Sequence, residues 1–482
     1  MSTTVILEDI ELNNNFHSRS NNGKHDDVTT QIQNPQIDLQ SFEESDAIAE
    51  LNNNVNNNDD ISFEDTLDDP KSYPDGGFKA YLTLFGCFLG LIVNLGLINS
   101  IGAVQSYVSN NILQNYTQST ISWIFSIYLS LAYAGGIFSG PIFDRYGTLY
   151  LLISSGGFIF IGLMGAAQSN KIYQFILSFI ALGLGNGIGM APLVSVISHF
   201  FFNKRGVCTG IATSGGSVGG LMFPLMLRKL YVSVGYVWAL RILGFTCLGC
   251  MISSVLLVKE RFRRINKKST IEVEINTLDK LKSEVLEFIK IKDIKFVFVI
   301  LGGFFAEFSL VLIVTYFANY AIAQGLSESE SLLLLTIWNA VGIAGRWLPG
   351  LASDYFGRFN VNVVMLIMYT LSILVLLLPF GHNHKILYAF AVLGGISSGC
   401  ILTLLPACLS QITRTDQLGK RYGLLNFYLS LANLFGIPIA AAILDTNYNN
   451  LIIFIGCLSI AGLVFWTAAR VSIVGVKLNV KV

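Results

Sequence analysis

The sequence predicts an all-α integral membrane protein with twelve transmembrane helices in two six-helix repeats. The first observation is composition: of the 482 residues, 52% are hydrophobic and 13% are charged, whereas about 25% of residues are charged in soluble domains. The second is that the high mean hydropathy of +0.58 is concentrated in apolar runs of about 20 residues, which match the hydrocarbon thickness of a bilayer. The third is that one charged octamer occurs twice, once in each half of the chain.

The apolar runs predict the helices one by one. Runs of this length and uniformity exclude the short alternating strands of a membrane β-barrel. They cover approximately 80–107, 119–141, 148–168, 173–201, 206–228, 236–258, 294–323, 331–351, 361–380, 385–410, 421–444 and 450–470. The formal net charge is zero, so no strongly basic surface indicates a nucleic-acid partner.

The connection between the sixth and seventh runs is much longer than the others. It therefore divides the chain into two halves of six helices. The predicted segments are a disordered acidic tail at 1–75, an N-terminal half at 76–258, a linker at 259–293, a C-terminal half at 294–470 and a C-terminal segment at 471–482. The tail is rich in Asn, Asp and Glu, and such a segment cannot bury enough apolar surface to offset the entropy lost on ordering.

Lysines and arginines concentrate on one side of the predicted bundle. With the N-terminus in the cytoplasm, the outer loops contain only Lys171, Arg228, Lys229 and Lys385. The remaining loops, the linker and both ends of the chain hold most of the other lysines and arginines. Because cytoplasmic loops carry an excess of Lys and Arg, the sequence predicts that both termini and the linker are cytoplasmic.

The repeated octamer lies at the same place in each half. It is GPIFDRYG at 140–147, at the end of the second run, and GLASDYFG at 350–357, at the end of the eighth. In each copy a Gly is followed four residues later by an Asp and three residues further on by a second Gly. The repetition indicates an internal duplication, and two membrane repeats with a site between them are typical of secondary transporters.

The octamer resembles the motif G-x-x-x-D-R-x-G of the major facilitator superfamily, which lies between helices two and three. The first copy matches it through Gly140, Asp144, Arg145 and Gly147, and the second through Gly350, Asp354, Gly357 and Arg358. In the second copy, Tyr355 replaces the arginine that directly follows the aspartate. The resemblance implies the major facilitator fold.

The same resemblance implies a gate. In this superfamily the motif aspartate holds the two halves together on the cytoplasmic side, so Asp144, Arg145, Asp354 and Arg358 are the predicted gating residues. An acidic group is favoured near a helix N-terminus, and the eleventh helix begins near GKRYG at 419–423. Asp144 is therefore expected to meet that terminus, near Lys420 or Arg421. The alternative is that these charges only set topology.

Several stretches show a narrower resemblance to the monocarboxylate-transporter family and its fungal branch. They are DGGFKAY at 75–81, FFNKRGVCTGIATSGGSVGG at 201–220, YVWALRILGF at 236–245, GRWLPGLASDYFGRFN at 345–360 and GKRYG. The resemblance extends over the chain from residue 75 onward. It implies a carrier of small organic solutes in the plasma membrane, with the vacuolar membrane as the alternative.

Two departures from this family bear on the solute. Its proton-linked lactate carriers have a Lys in helix one and an Asp one turn before the Arg of helix eight. Here Arg346 is retained, but the other two positions are Asn99 and Gly342. These departures favour a larger, mostly uncharged solute, and the resemblance to the fungal branch implies riboflavin uptake by facilitated diffusion. The alternatives are a proton-coupled monocarboxylate transporter, in which Arg346 alone holds the carboxylate, and a nutrient sensor that does not transport.

Polar residues inside the apolar runs are the candidate solute-binding or coupling residues. Such groups are costly in a membrane and normally face the interior of the helix bundle. The candidates are Arg346, Glu307, Asn99, Asn339 and Asn426. For each of them the alternative is a structural hydrogen bond between helices, and Glu307 is also a candidate proton site. Aromatic faces for a flavin ring are available on Trp338, Tyr316, Phe427 and Tyr428.

No catalytic pattern accompanies these residues in the sequence. The phosphate-binding pattern G-x-x-x-x-G-K-[ST] does not occur, so nucleotide hydrolysis is not the predicted energy source. No nucleophile–base or metal-ligand constellation occurs in the loops. The sequence therefore predicts a transporter rather than an enzyme, with no cofactor and no bound metal.

Overall fold

The computed structural model describes residues 73–261, 293–444, 447–475 and 480. Nearly all of the predicted tail, most of the predicted linker and half of the C-terminal segment lie outside the described residues. The predictions of a disordered tail and of cytoplasmic linker and termini therefore stay predictions.

Twelve helices in the described part of the chain are long and apolar enough to cross a membrane, as the sequence predicts. In chain order they are α1 Phe78–Tyr107, α2 Thr120–Tyr146, α3 Leu149–Gln168, α4 Ile172–His199, α5 Arg205–Ser233, α6 Gly235–Leu257, α7 Ile294–Ala323, α8 Ser329–Phe356, α9 Arg358–Phe380, α10 His384–Leu409, α11 Thr415–Leu444 and α12 Tyr448–Val474. Apolar side chains such as Ile161, Leu256 and Val464 are 63%, 69% and 57% exposed, as expected where helices face lipid. The chain is a multi-pass membrane protein.

Two pairs of helices form the main contacts between the halves. Helix α2 packs along α11, and α5 packs along α8. Since α2 and α8 are the second helices of their halves and α5 and α11 are the fifth, the two pairs are repeats of one contact. This arrangement is expected for halves that arose by duplication.

Glycines allow the helices of both pairs to touch through their backbones. A Cβ added at Gly140 of α2 would overlap the carbonyl oxygen of Gly419 on α11. In the other pair, a Cβ at Gly206 or at Gly350 would lie 2.5 Å from the other residue's carbonyl oxygen. Small residues at these positions are what permits such close approach of membrane helices.

The helices extend beyond the apolar runs at the octamers. The predicted second run ends at 141, but α2 continues to Tyr146, and α8 continues five residues past the predicted end at 351. Both helices stop at the second glycine of the octamer, where Gly147 has a φ of 84° and Gly357 a φ of 97°. Left-handed backbone of this kind favours glycine and ends helices. The octamers are therefore the last turns of helices and not separate loops.

Candidate functional site

The end of the helix bundle that carries Asp144 and Asp354 is called here the motif end. Asp144 lies in the last turn of α2, and its carboxylate oxygens accept hydrogen bonds from the backbone N–H groups of Gly419 (3.0 Å) and Lys420 (2.8 Å). The first N–H groups of a helix lack partners within it, and the helix dipole favours a negative charge there. Asp144 therefore caps α11 of the opposite half.

Asp354 repeats this contact in the other direction. Its carboxylate oxygens accept from the backbone N–H groups of Gly206 and Val207, both at 2.8 Å, in the first turn of α5. Arg358, at the start of α9, donates to the carbonyl oxygen of Phe202 at 2.7 Å. The structure thus brings three of the four predicted gating residues to contacts between the halves.

Arg145 and Arg421 make contacts of a different kind. The Arg145 guanidinium lies over the ring of Tyr146, 5.4 Å from its centroid, which is a contact within one half. The side chain of Arg421 pairs with Asp293 at 3.1 Å and lies over the Phe296 ring, again within one half. At the α11 terminus the backbone N–H groups of Gly419 and Lys420 meet Asp144.

Three of the predicted solute-binding residues meet along α5 and are called the Arg346 cluster: Asn99, Asn339 and Arg346. Arg346 is 6% exposed and donates through Nη1 to the carbonyl oxygen of Thr213. Asn99 Nδ2 donates to the carbonyl oxygen of Gly216 at 3.0 Å. A Cβ at Gly220 would lie 2.7 Å from Asn99 Cβ and 3.1 Å from Asn339 Oδ1. Glycines of α5 thus leave room for side chains from α1 and α8.

The other two predicted residues lie between α2, α7 and α11, and with Tyr133 they form the Glu307 cluster: Tyr133, Glu307 and Asn426. The Tyr133 hydroxyl donates to Glu307 Oε1 at 2.8 Å, so a bond near the middle of these helices joins the two halves. Asn426 lies beside Gly136, one turn along α2 from Tyr133, since a Cβ there would be 3.3 Å from Asn426 Cβ.

Both clusters contain buried polar atoms without a hydrogen-bond partner. They are Glu307 Oε2, Arg346 Nε and both amide atoms of Asn426, on side chains that are at most 6% exposed. Among the described residues, no direct ion pair joins Arg346 to Glu307. Buried polar groups are normally satisfied, so this arrangement has unused capacity for a polar ligand.

The predicted aromatic residues differ in how far neighbouring side chains cover their rings. Trp338 is 6% exposed and packs against the rings of Phe317 and Phe390, whose centroids lie 6.0 Å and 5.7 Å from its own. The Tyr316 hydroxyl donates to a backbone carbonyl oxygen of α11. Phe427 and Tyr428 form an edge-to-face pair. Both are half-buried, as is Tyr316, so these three rings are more accessible than that of Trp338.

Two residues that contact the candidate site residues could not be identified from the sequence. Tyr133 is one aromatic residue among many in an apolar run, and Thr213 contributes only its backbone oxygen to Arg346. Thr213 also forms a hydroxyl–hydroxyl contact of 2.8 Å with Thr403 on α10. A buried pair of this kind cannot be found by inspecting either helix alone.

The fold and the paired contacts define a membrane transporter built from two six-helix repeats. The family model described as "Major Facilitator Superfamily" matches residues 84–364 and 348–477. The chain belongs to this superfamily. It is a membrane transporter, a class distinct from enzymes.

Relatives and a solved structure agree with this assignment. The chain is 40% identical to "Riboflavin transporter MCH5" of Saccharomyces cerevisiae, over 88% of this chain and 84% of the relative. It is 34% identical to an "MFS-type transporter" of Gibberella moniliformis, over 85% of this chain and 94% of the relative. It is 30% identical to "Aspyridones efflux protein apdF" of Emericella nidulans, over 77% and 73%. The proton:xylose symporter XylE shares the fold, with a TM-score of 0.62, 15% identity and coverage of 83% of this chain and 96% of that chain.

Proposed function

We propose that this transporter carries riboflavin into the cell by facilitated diffusion. The observation that carries the proposal is the 40% identity, over 88% of the chain, to a relative named as a riboflavin transporter. Supporting it, the positions where lactate carriers of the resembling family have Lys and Asp are Asn99 and Gly342 in this chain. The interior is therefore poorer in charge than a carboxylate–proton carrier requires.

The chemistry of the two clusters suits the polar edge of a flavin. That edge alternates carbonyl oxygens with an imide N–H, and the ribityl chain adds hydroxyl groups. Arg346 can donate to a carbonyl oxygen, Glu307 can accept from an N–H or hydroxyl group, and the Asn426 amide can do both. Each of these three has at least one buried atom free of protein partners. Asn99 and Asn339 border the same region from α1 and α8.

In this proposal, transport proceeds by alternating access of a central site. The contacts of Asp144 and Asp354 hold the halves together at the motif end, which we propose is cytoplasmic because most loop lysines and arginines lie on that side. Opening toward the cytoplasm then requires both capping contacts to break, while contacts between the halves form at the opposite end. We place the transporter in the plasma membrane, with both termini in the cytoplasm.

A monocarboxylate is the second candidate solute, and one specific observation favours it. The guanidinium of Arg346 is buried and has an unpartnered Nε, and an arginine of this kind is a good partner for a carboxylate. In that case Glu307, the nearby carboxyl, would carry the coupled proton.

Uptake measurements distinguish the two solutes. Cells that cannot synthesise riboflavin are compared with and without the protein, at two external pH values, with labelled riboflavin and labelled lactate. We expect saturable riboflavin uptake that is the same at both pH values, and no lactate uptake above the cells without the protein. Lactate uptake that rises at acid pH, without riboflavin uptake, would assign the monocarboxylate function instead. Uptake of neither solute would contradict both assignments.

A further inference from the structure

The short segment that precedes α1 is bound to the connection between α4 and α5. The backbone N–H of Asp75 donates to the carbonyl oxygen of Phe200 at 3.0 Å. Its carboxylate accepts from the N–H groups of Phe202 (2.7 Å) and Asn203 (3.0 Å) and from the Asn203 amide. Asp75 is in the left-handed region, with a φ of 45°, which non-glycine residues adopt where surrounding contacts hold them. These contacts fix how residues 73–77 approach the start of α1.

Arg205, the first residue of α5, joins the two halves next to this segment. It is 2% exposed and donates within its own half to the carbonyl oxygens of Phe201 (2.6 Å) and Ser198 (3.0 Å). Across to the other half it donates to the carbonyl oxygen of Ser410 (3.1 Å) and to Thr415 Oγ1 (3.0 Å). A buried cation is tolerated when hydrogen bonds replace its lost hydration, so the partners in the second half are part of what keeps this residue in place.

Tyr73 completes the contact from the segment before α1. It is 5% exposed, and its ring covers the Arg205 guanidinium with the centroid 5.3 Å from Cζ. Its hydroxyl lies 2.8 Å from Thr415 Oγ1. The Thr415 hydroxyl at the start of α11 is thus shared by Arg205, which belongs to the first half, and Tyr73, which belongs to the segment bound to that half.

We propose that Tyr73 and Arg205 form a latch that holds the motif end closed, and that the segment before α1 is thereby part of the gate. The inference rests on the proposed alternating access. Opening the motif end separates α5 from the α10–α11 connection, so Thr415 and the Ser410 carbonyl must leave Arg205, and Thr415 must leave Tyr73. The latch is distinct from the two aspartate caps, since it uses side-chain hydroxyls and a guanidinium. Tyr73 acts as a positioning residue and does not contact the solute.

The test measures opening directly and needs no solute. A cysteine replaces Ser410, which is 5% exposed and lies on the far side of the latch. Its labelling rate by a maleimide is measured in permeabilised membranes, so that both membrane faces are accessible. Labelling of the chain without the new cysteine is subtracted as background. The neighbouring Gln411→Cys, at an exposed position, is the matched reporter for labelling that does not depend on opening.

Tyr73→Phe removes the hydroxyl and keeps the ring over Arg205. We expect it to raise the labelling rate at position 410 about fivefold, the effect of one lost hydrogen bond on a two-state opening. Thr415→Val removes the partner of both residues and is expected to raise the rate further. Adding Tyr73→Phe to Thr415→Val is expected to change nothing more, because the contact is already gone. Labelling at position 411 is expected to stay constant throughout, and Tyr116→Phe, an exposed tyrosine, is the matched control substitution.

Two outcomes would overturn the latch. One is an unchanged rate at position 410 in both Tyr73→Phe and Thr415→Val. The other is an equal rise at positions 410 and 411, which indicates local loosening of the connection instead of opening. Because the labelling needs no solute, it tests the latch even if the protein does not take up riboflavin. Unchanged labelling together with intact riboflavin uptake would reject the latch and leave the proposed function in place.

Discussion

At the scale of single residues, Arg346 is a buried cation that the protein satisfies only in part. Its Nη1 donates to the carbonyl oxygen of Thr213, and its Nε has no partner. Leaving a buried charged donor unsatisfied costs free energy, so a site that retains one gains most when a ligand supplies the missing acceptor. This favours a role in solute binding over a purely structural one.

Removing Arg346 is therefore expected to abolish most transport. In Arg346→Ala, uptake of labelled riboflavin should fall at least about tenfold, the effect of losing one charge-assisted hydrogen bond, with unchanged abundance in the membrane. The control is Arg241→Ala, because Arg241 on α6 lies over the ring of Trp238 and belongs to neither polar cluster. Full uptake by Arg346→Ala at normal abundance would remove it from the site.

Arg346 and Glu307 also show how much of the candidate site can be predicted from the sequence at the scale of single residues. A charge inside an apolar run is visible in the sequence, and its cost makes it a candidate. Its partners are not visible, because Tyr133 and the Thr213 carbonyl lie on other helices. The contact between Tyr73 and Arg205 could not be predicted from the sequence for the same reason. Tyr73 precedes α1 and Arg205 is one of several loop cations in the sequence, and only the structure shows that both contact Thr415.

At the scale of helices, the number of elements could be predicted but the ends at the motif could not. Hydropathy marks the part of a helix inside the hydrocarbon, whereas a helix continues as long as its backbone hydrogen bonds do. The predicted eleventh run begins at 421, but α11 begins with a 3₁₀ turn at Thr415–Gln417 and is α-helical from Leu418, because polar residues form its first turns. Those turns provide the N–H groups that Asp144 caps.

The close approach of α2 and α11 leads to a prediction about Gly140. A methyl group there meets the carbonyl oxygen of Gly419, and backbone atoms on both sides cannot move without separating the helices. Gly140→Ala is expected to destabilise the protein by about 1–3 kcal/mol, as overpacking does, and to lower the midpoint of thermal unfolding in detergent.

The matched control is Gly157→Ala on α3, where an added Cβ meets nothing within 4 Å. In that open position alanine is the better helix former by about 0.5–1 kcal/mol, so the midpoint should stay or rise. Equal midpoints for the two variants would mean that α2 and α11 tolerate a wider spacing than the structure has.

At the scale of the whole molecule, two contacts of the same kind join the halves at the motif end. Asp144 caps α11 from the first half, and Asp354 caps α5 from the second. The two caps lie on separate pairs of helices, and in the proposed alternating access both oppose the same separation of the halves. Duplication thus provides two contacts that act in parallel on a single motion.

Parallel action predicts how the two aspartates combine. Each of Asp144→Asn and Asp354→Asn removes a charge at a helix N-terminus, worth about 1 kcal/mol in a partly buried position, or about fivefold in the opening equilibrium. The double variant should then favour opening about 25-fold, measured as the labelling rate of Ser410→Cys. Asp293→Asn is the control, because Asp293 pairs with Arg421 inside one half and should leave the rate unchanged. A double variant that labels no faster than either single variant would mean that the two caps do not both break on the path to the open state.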